Sequence, residues 1–267
     1  MDIYGILAHP AKQSLSPAMH NAAFKELKIN AEYKYFDVKP ESLTAFIKKL
    51  YKLNIKGLSV SKPYKEAIIK YLDRIDGIAK KIGAVNTVKL FKGKLIGTNF
   101  DWIGVQNSLL EKTGIHGRTV VILGAGGAAA AALYAVKKNK AKNIFVLNRT
   151  ISHAKELAEK FNCKYGKFKD FKDIHPDIII QATSAGMNNS RGVQIIPKAF
   201  LKPNMVVMEM IYTPRMTRIL KDAKVIGAKI ITGERMLLHQ GFAAFEFWTG
   251  KKAPVEIMEK AVNKRLA

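Results

Sequence analysis

The chain has 267 residues, 48% hydrophobic and 25% charged, enough to bury a sizeable core and unlike a disordered or fibrous protein. Its 45 Lys and Arg against 21 Asp and Glu give a formal charge of +24. The lysines are scattered rather than clustered beside aromatics, so they read as a solvated surface that attracts anionic small molecules, not as a nucleic-acid interface.

Strand-like runs and helical periodicities alternate along the first third. Residues 2–7 predict a strand, and 17–27 a helix that starts just after Ser16 with Pro17 at its first position. Residues 33–38 predict a second strand, 41–50 a helix and 57–61 a third short strand. Repeated β-then-α units favour a mainly parallel sheet covered by helices. Runs at 85–90 and 94–97 around Gly93 predict a hairpin, and 101–111 a connecting helix. After a link at 114–118, Thr119-Val120-Val121-Ile122 predicts a buried strand, 128–136 a helix, and Asn143-Ile144-Phe145-Val146-Leu147 the next strand. Runs at 178–181, 205–210 and 229–232 extend this second sheet, and 237–248 and 255–266 predict closing helices. The expected architecture is α/β. A mainly parallel substrate domain, 1–100 completed by 237–267, accompanies a Rossmann-type domain, 101–236, with a ligand cleft between them.

The turn from strand to helix reads Leu123-Gly124-Ala125-Gly126-Gly127-Ala128. A glycine-rich turn of this kind points backbone N–H groups and the positive helix end at a phosphate. Glycines also serve tight turning and close helix–strand packing, so the turn alone leaves both readings open. The strand that follows the helix supplies the βαβ context of a dinucleotide site. That strand ends in Asn148-Arg149-Thr150, with no carboxylate at the tip. A carboxylate there would bond a ribose 2′-hydroxyl, whereas a guanidinium binds a 2′-phosphate through two charge-assisted bonds, which favours NADP(H).

Several motifs in one order resemble the shikimate dehydrogenases over nearly the whole chain. They are Ser14-Leu15-Ser16-Pro17-Ala18-Met19-His20-Asn21, Gly57-Leu58-Ser59-Val60-Ser61-Lys62-Pro63-Tyr64-Lys65, Gly83-Ala84-Val85-Asn86-Thr87 and Gly97-Thr98-Asn99-Phe100-Asp101. After the glycine turn and Asn148-Arg149-Thr150 come Ala182-Thr183-Ser184-Ala185-Gly186-Met187, Tyr212-Thr213-Pro214, Gly233 and Met236-Leu237-Leu238-His239-Gln240-Gly241. The resemblance implies reversible NADPH-linked reduction of 3-dehydroshikimate to shikimate in aromatic (chorismate) biosynthesis.

It also implies residue roles. Lys65 and Asp101 are the catalytic pair: a cationic acid stabilises the oxyanion that hydride delivery creates and supplies its proton, while Asp101 orients Lys65 and bonds a substrate hydroxyl. Ser14 and Ser16 hold the substrate carboxylate, although Ser16 is equally placed to cap the helix that follows. Ser61, Asn86, Tyr212 and Gln240 contact the carboxylate or the ring hydroxyls. Gly124, Ala125, Gly126, Gly127, Ala128, Asn148, Arg149, Thr150, His153, Thr183, Ser184, Met210 and Gly233 line the cofactor, Gly233 by letting the nicotinamide approach the backbone.

Four positions depart from the family pattern. Ser59-Val60-Ser61 replaces Asn-Val-Thr, Phe100 replaces a Thr, and Gln181 an Asn. His153 stands where a basic residue is common, which gives a weaker and pH-dependent second half to the 2′-phosphate clamp. Two other readings compete with the first. One is a quinate or shikimate dehydrogenase paralogue with relaxed cofactor choice. The other is a non-catalytic NADP(H)-binding module with a basic nucleic-acid-binding surface.

No metal is expected, since His153, His175 and His239 sit in separate segments without ligand spacing. No Gly-x-Ser-x-Gly element suggests a nucleophilic serine. Cys163 is the one cysteine and cannot form an internal disulfide, as expected in a reducing cytoplasm. The opening residues lack a basic-then-apolar signal pattern, and the longest apolar stretch, 120–136, is interrupted by glycines, so no membrane association is expected. A small-molecule enzyme, monomer or homodimer, is the resulting expectation.

Overall fold

The computed structural model describes residues 1–50, 52–187 and 193–267. They divide into two compact units, unit 1 (1–100 with 240–267) and unit 2 (101–239). Unit 1 contains β1 (Asp2–Ala8), α1 (Ser16–Glu26), β2 (Ala31–Asp37), α2 (Leu43–Lys49), β3 (Ile55–Val60), α3 (Tyr64–Ala67), β4 (Arg74–Ile75), α4 (Gly77–Ile82), β5 (Thr87–Phe91) and β6 (Lys94–Thr98). Its sheet runs β2-β1-β3-β5-β6-β4. β1 is parallel to β2 and β3, and β4 to β6, whereas β5 is antiparallel to β3 and β6. The β5–β6 pair is a hairpin, and β5 lies antiparallel beside β3 as well. Lys92 and Gly93 at the hairpin tip have φ of 49° and 73°, the two positive values a two-residue turn needs to match strand twist.

Unit 2 contains α5 (Asp101–Leu110), β7 (Thr119–Leu123), α6 (Gly127–Lys138), β8 (Asn143–Leu147), α7 (Ile151–Phe161), β9 (Lys164–Gly166), β10 (Ile178–Gln181), β11 (Val206–Glu209), α8 (Arg218–Ile226) and β12 (Lys229–Ile231). Its sheet runs β12-β11-β10-β7-β8-β9 with every pair parallel. That is the doubly wound order, and it reverses between β7 and β10, where ligands bind at the carboxyl ends of the strands. α9 (Gly233–Thr249) begins in unit 2 and enters unit 1 at Gln240, and α10 (Val255–Leu266) completes unit 1 against α1.

Each unit has its own core. Leu7, Leu58, Val60, Tyr64, Ile68, Val88 and Leu95 form one layer of unit 1. Another is aromatic: Tyr4, His20, Phe24, Tyr33, Phe245 and Trp248 pack ring to ring, and Gly57 leaves the space Trp248 fills, since a Cβ there would lie 2.6 Å from the indole. In unit 2, Val121, Leu123, Ile179, Val207, Leu220 and Ala223 form the core. Each such Leu or Ile contributes about 1.5–3 kcal/mol of apolar burial.

Local structure departs from the sequence expectation in identifiable places. α3, α4, α7, α8, β4 and β9 go beyond the predicted elements. In α7 the buried residues Ala154, Leu157, Ala158 and Phe161 mark one helical stripe, but the charged residues between them dilute it. α1 starts at Ser16 with Leu15 at its N-cap position, so Ser16 is the first helical residue and not the cap.

Candidate functional site

Within unit 2 the glycine turn lies at the switch point. Gly124 has φ +114°, a conformation suited to glycine, and a Cβ there would lie 3.1 Å from the Ala182 carbonyl oxygen. The close approach brings the turn after β7 against the start of the Ala182-Thr183-Ser184 segment. Gly126 occupies the N-cap position of α6, no side chain caps that helix, and the place its Cβ would take is open. The first turn of a helix has no intrahelical partner for its N–H groups. Gly126, Gly127 and Ala128 thus form an uncapped cradle that a side chain would fill, and a pyrophosphate fits it.

The tip of β8 completes this half of the site. Asn148 Nδ2 donates to the Thr150 carbonyl at 3.0 Å and so shapes the tip, with Arg149 and Thr150 exposed beside it. His153 is exposed in the first turn of α7. No acidic residue stands at 148–150, so the tip suits a phosphate better than a bare ribose diol.

The segment after β10 is held by Gln181, a residue that sequence reading marked only as a departure. Its buried side chain accepts from Thr183 N and Thr183 Oγ1, both at 2.8 Å, and donates to the Ala185 carbonyl at 2.9 Å. No motif marks Glu209, at the end of β11. It is fully buried, and its carboxylate accepts from Met210 N at 2.8 Å, Ile211 N at 3.0 Å and Thr217 Oγ1 at 2.8 Å. Burial outweighs these bonds and pushes its pKa up to about 7. Gly233 has a packing requirement of its own. A Cβ there would lie 2.3 Å from the Ile211 carbonyl oxygen, so chain packing by itself requires the glycine.

In unit 1 the structure gathers residues far apart in sequence. Asn86 Nδ2 donates to Gln240 Oε1 at 3.3 Å, and Asn86 Oδ1 accepts from Phe100 N at 2.8 Å and Thr87 Oγ1 at 2.9 Å. The Lys65 carbonyl accepts from Val85 N at 2.7 Å and the Asn86 carbonyl from Val60 N at 2.7 Å, which draws Lys65, Ser61 and Asn86 into one neighbourhood. Ser14 Oγ accepts from Ser16 N at 3.2 Å. The hydroxyl that supports the start of α1 is therefore that of Ser14. Phe100 stacks edge-on against Phe247, with ring centroids 5.6 Å apart.

The Ser14 loop also has anchors that no motif announced. Tyr35 Oη donates to the Ser14 carbonyl at 3.2 Å, and Asp37 accepts from His9 Nδ1 at 2.7 Å and Ala11 N at 3.2 Å. The His9 bond, then the Ala11 bond, hold the Asp37 carboxyl below its usual range. Asp101, Tyr212, Met210, Thr183 and Ser184 belong to unit 2, with Asp101 buried at the start of α5 and Tyr212 half-buried. Among the described residues no cluster of His, Cys, Asp and Glu could hold a metal ion, and no helix is long and apolar enough to cross a membrane.

Comparison with known proteins adds independent findings. Residues 6–88 match the shikimate dehydrogenase substrate binding domain, 107–206 the shikimate / quinate 5-dehydrogenase domain, and 233–262 the shikimate 5'-dehydrogenase C-terminal domain. The NADP(+) shikimate dehydrogenase of Methanocaldococcus jannaschii is 44% identical over 99% of this chain and 97% of its own length. A crystal structure of a shikimate dehydrogenase in complex with NADP+ is 42% identical, covers 100% of this chain and 96% of its own, and has a TM-score of 0.94. A Thermus thermophilus shikimate 5-dehydrogenase solved with NADP(H) and shikimate is 32% identical over 99% of each chain, with a TM-score of 0.92. By sequence along its whole length and by fold, the chain belongs to the shikimate dehydrogenase family.

Proposed function

We propose that this protein is an NADP-dependent shikimate dehydrogenase, interconverting 3-dehydroshikimate and shikimate in the route to chorismate. The observation that carries the cofactor is the uncapped Gly126 cradle at the switch point, with the Arg149 tip and no acidic rival on the next strand. Gly124 to Ala128 hold the pyrophosphate, and Asn148, Arg149, Thr150 and His153 the 2′-phosphate end. Thr183, Ser184, Met210 and Gly233 border the nicotinamide end. When bound, NADP(H) supplies or accepts the hydride.

The chain itself manages the proton and the substrate. Lys65 supplies the proton to the developing alkoxide in reduction and removes it in oxidation, and its charge stabilises that oxygen in the transition state. Asp101 bonds a substrate hydroxyl. Ser14, Ser16 and Ser61 bind the carboxylate end, and Asn86, Tyr212 and Gln240 the ring hydroxyls. The Asn86–Gln240 bond supports this assignment, because it fixes two amide groups at set angles, as recognition of a polyol requires. The unpaired Cys163 and the absence of a spanning helix among the described residues fit a cytoplasmic enzyme, acting as a monomer or homodimer.

Initial rates with shikimate or quinate, each with NADP or NAD, test this reading. The highest rate is expected with shikimate and NADP. A quinate rate above the shikimate rate, or no turnover with either acid, would refute it.

A further inference from the structure

A buried carboxylate that carries no assigned chemistry needs a reason, because burial of its charge is costly and Glu209 is fully buried. Each oxygen of Glu209 has a distinct use. Oε1 accepts from two successive amides, Met210 N at 2.8 Å and Ile211 N at 3.0 Å, and Oε2 accepts from Thr217 Oγ1 at 2.8 Å. One side chain thus pins both ends of the 210–217 segment, which contains Met210 and Tyr212.

The surroundings extend that hold. A Cβ on Gly233 would lie 2.3 Å from the Ile211 carbonyl oxygen, so the start of α9 bears directly on the same segment. A Cβ on Gly186 would lie 3.3 Å from Thr217 Cγ2, so the 183–187 segment bears on its other end. A second buried acid, Glu234, accepts from Arg215 Nε at 2.8 Å and from Thr232 Oγ1 at 2.7 Å and ties the middle of the segment to α9.

We propose that Glu209 is a positioning residue that fixes the 210–217 segment, and through it the placement of Met210 toward the cofactor and Tyr212 toward the substrate. This rests on the functional reading above for what Met210 and Tyr212 face. The hold on the segment stands on the hydrogen bonds alone. Glutamine at 209 keeps the acceptor for the two amides and can donate to Thr217, which is itself an acceptor, so it should preserve the geometry. Alanine removes the acceptor of Ile211 N and of the Thr217 hydroxyl, and leaves Met210 N only its bond to the Gln181 carbonyl at 3.1 Å.

The test compares wild type, Glu209→Gln, Glu209→Ala and Thr217→Val, each confirmed folded by circular dichroism. The Michaelis constants for NADP and shikimate are read beside limited trypsin cleavage after Arg215, followed by mass spectrometry. Glu209→Ala is expected to raise both Michaelis constants about tenfold, since displacement of positioning groups costs orders of magnitude. It should also speed cleavage after Arg215. Glu209→Gln should restore both readouts to near wild type, and Thr217→Val should fall between. If Glu209→Ala does not fold, the intermediate effect of Thr217→Val carries the test. Michaelis constants and cleavage unchanged in both disruptive variants would overturn the proposal, as would a Gln variant as impaired as Ala. Faster cleavage in variants of a wild type that shows no turnover would support the positioning role and sink the functional reading instead.

Discussion

In unit 1 the candidate ligand groups are side chains: the hydroxyls of Ser14, Ser16 and Ser61, the amides of Asn86 and Gln240, and the amine of Lys65. In unit 2 the candidate pyrophosphate groups are main chain, the N–H groups of Gly126, Gly127 and Ala128, beside strand-end segments that Gln181 and Glu209 hold. The contrast follows from the ligands. A polyol acid is told from its analogues by hydroxyl geometry, which demands side chains fixed at particular angles. A dinucleotide offers a pyrophosphate, which a helix terminus meets with backbone alone. Substitutions at the unit 1 side chains should therefore alter substrate choice and proton transfer, and those at the glycine turn and the β8 tip of unit 2 cofactor affinity.

The largest effect should come from Lys65→Ala, with turnover falling about 10²–10⁴-fold through loss of the general acid and far less change in the Michaelis constant for shikimate. Steady-state rates check this, and a loss confined to substrate affinity would break the assignment. The backbone bond from Val85 N to the Lys65 carbonyl does not depend on the side chain, so the fold should survive.

Next in size is Arg149→Ala in unit 2. Loss of a charged contact to phosphate costs about 1.5–3 kcal/mol, or about 10–150-fold in the Michaelis constant for NADP, with little change for NAD. Equal effects on both cofactors would refute the 2′-phosphate role.

A pair of glycines sharpens the main-chain half of the contrast. Gly124→Ala puts a side chain at φ +114° beside Ala182, and should destabilise the fold by about 1–3 kcal/mol. Gly126→Ala points its methyl into open space at ordinary φ, so thermal unfolding should move little while NADP affinity falls. Equal loss of stability in the two variants would contradict the cradle.

Smallest per unit step are the effects of pH, and they carry opposite signs in the two units. His20 in unit 1 is buried among Tyr33, Phe245 and Trp248, which lowers its pKa to about 3 from an ordinary 6.5. Its folded form binds fewer protons than the unfolded chain between those values, so the stability it contributes is full above pH 6.5 and drains as pH falls toward 3. Glu209 in unit 2 is raised from 4.5 to about 7, so its contribution is full below pH 4.5 and drains as pH rises through 7. Each slope is at most about 1.4 kcal/mol per pH unit. Thermal unfolding against pH should show His20→Phe flattening the acid limb and Glu209→Gln the neutral limb. Flattening of the same limb by both would contradict these shifts.

Much of this division was legible in the sequence. The parallel second sheet followed from uninterrupted runs such as Val120-Val121-Ile122, and the glycine turn from its place between strand and helix. The motifs around Ser14, Lys65, Asn86 and Gln240 named the candidate substrate groups, although nothing in their spacing revealed that Asn86 bonds Gln240. What stayed hidden was support. Tyr35 and Asp37 act through partners set by tertiary contact, Gln181 and Glu209 hold nearby segments through the path their loops take, and an acid at the end of an apolar strand reads as a surface residue until its burial is known. The antiparallel β5 was obscured for a related reason, since the hairpin was visible but its place beside β3 is a matter of sheet order.

The division of labour itself is tested most directly by titrating NADPH into wild type and Lys65→Ala, following nucleotide fluorescence. Equal dissociation constants are expected for the two proteins, in the face of the variant's lost turnover. A cofactor affinity that collapses along with turnover in Lys65→Ala would contradict that division.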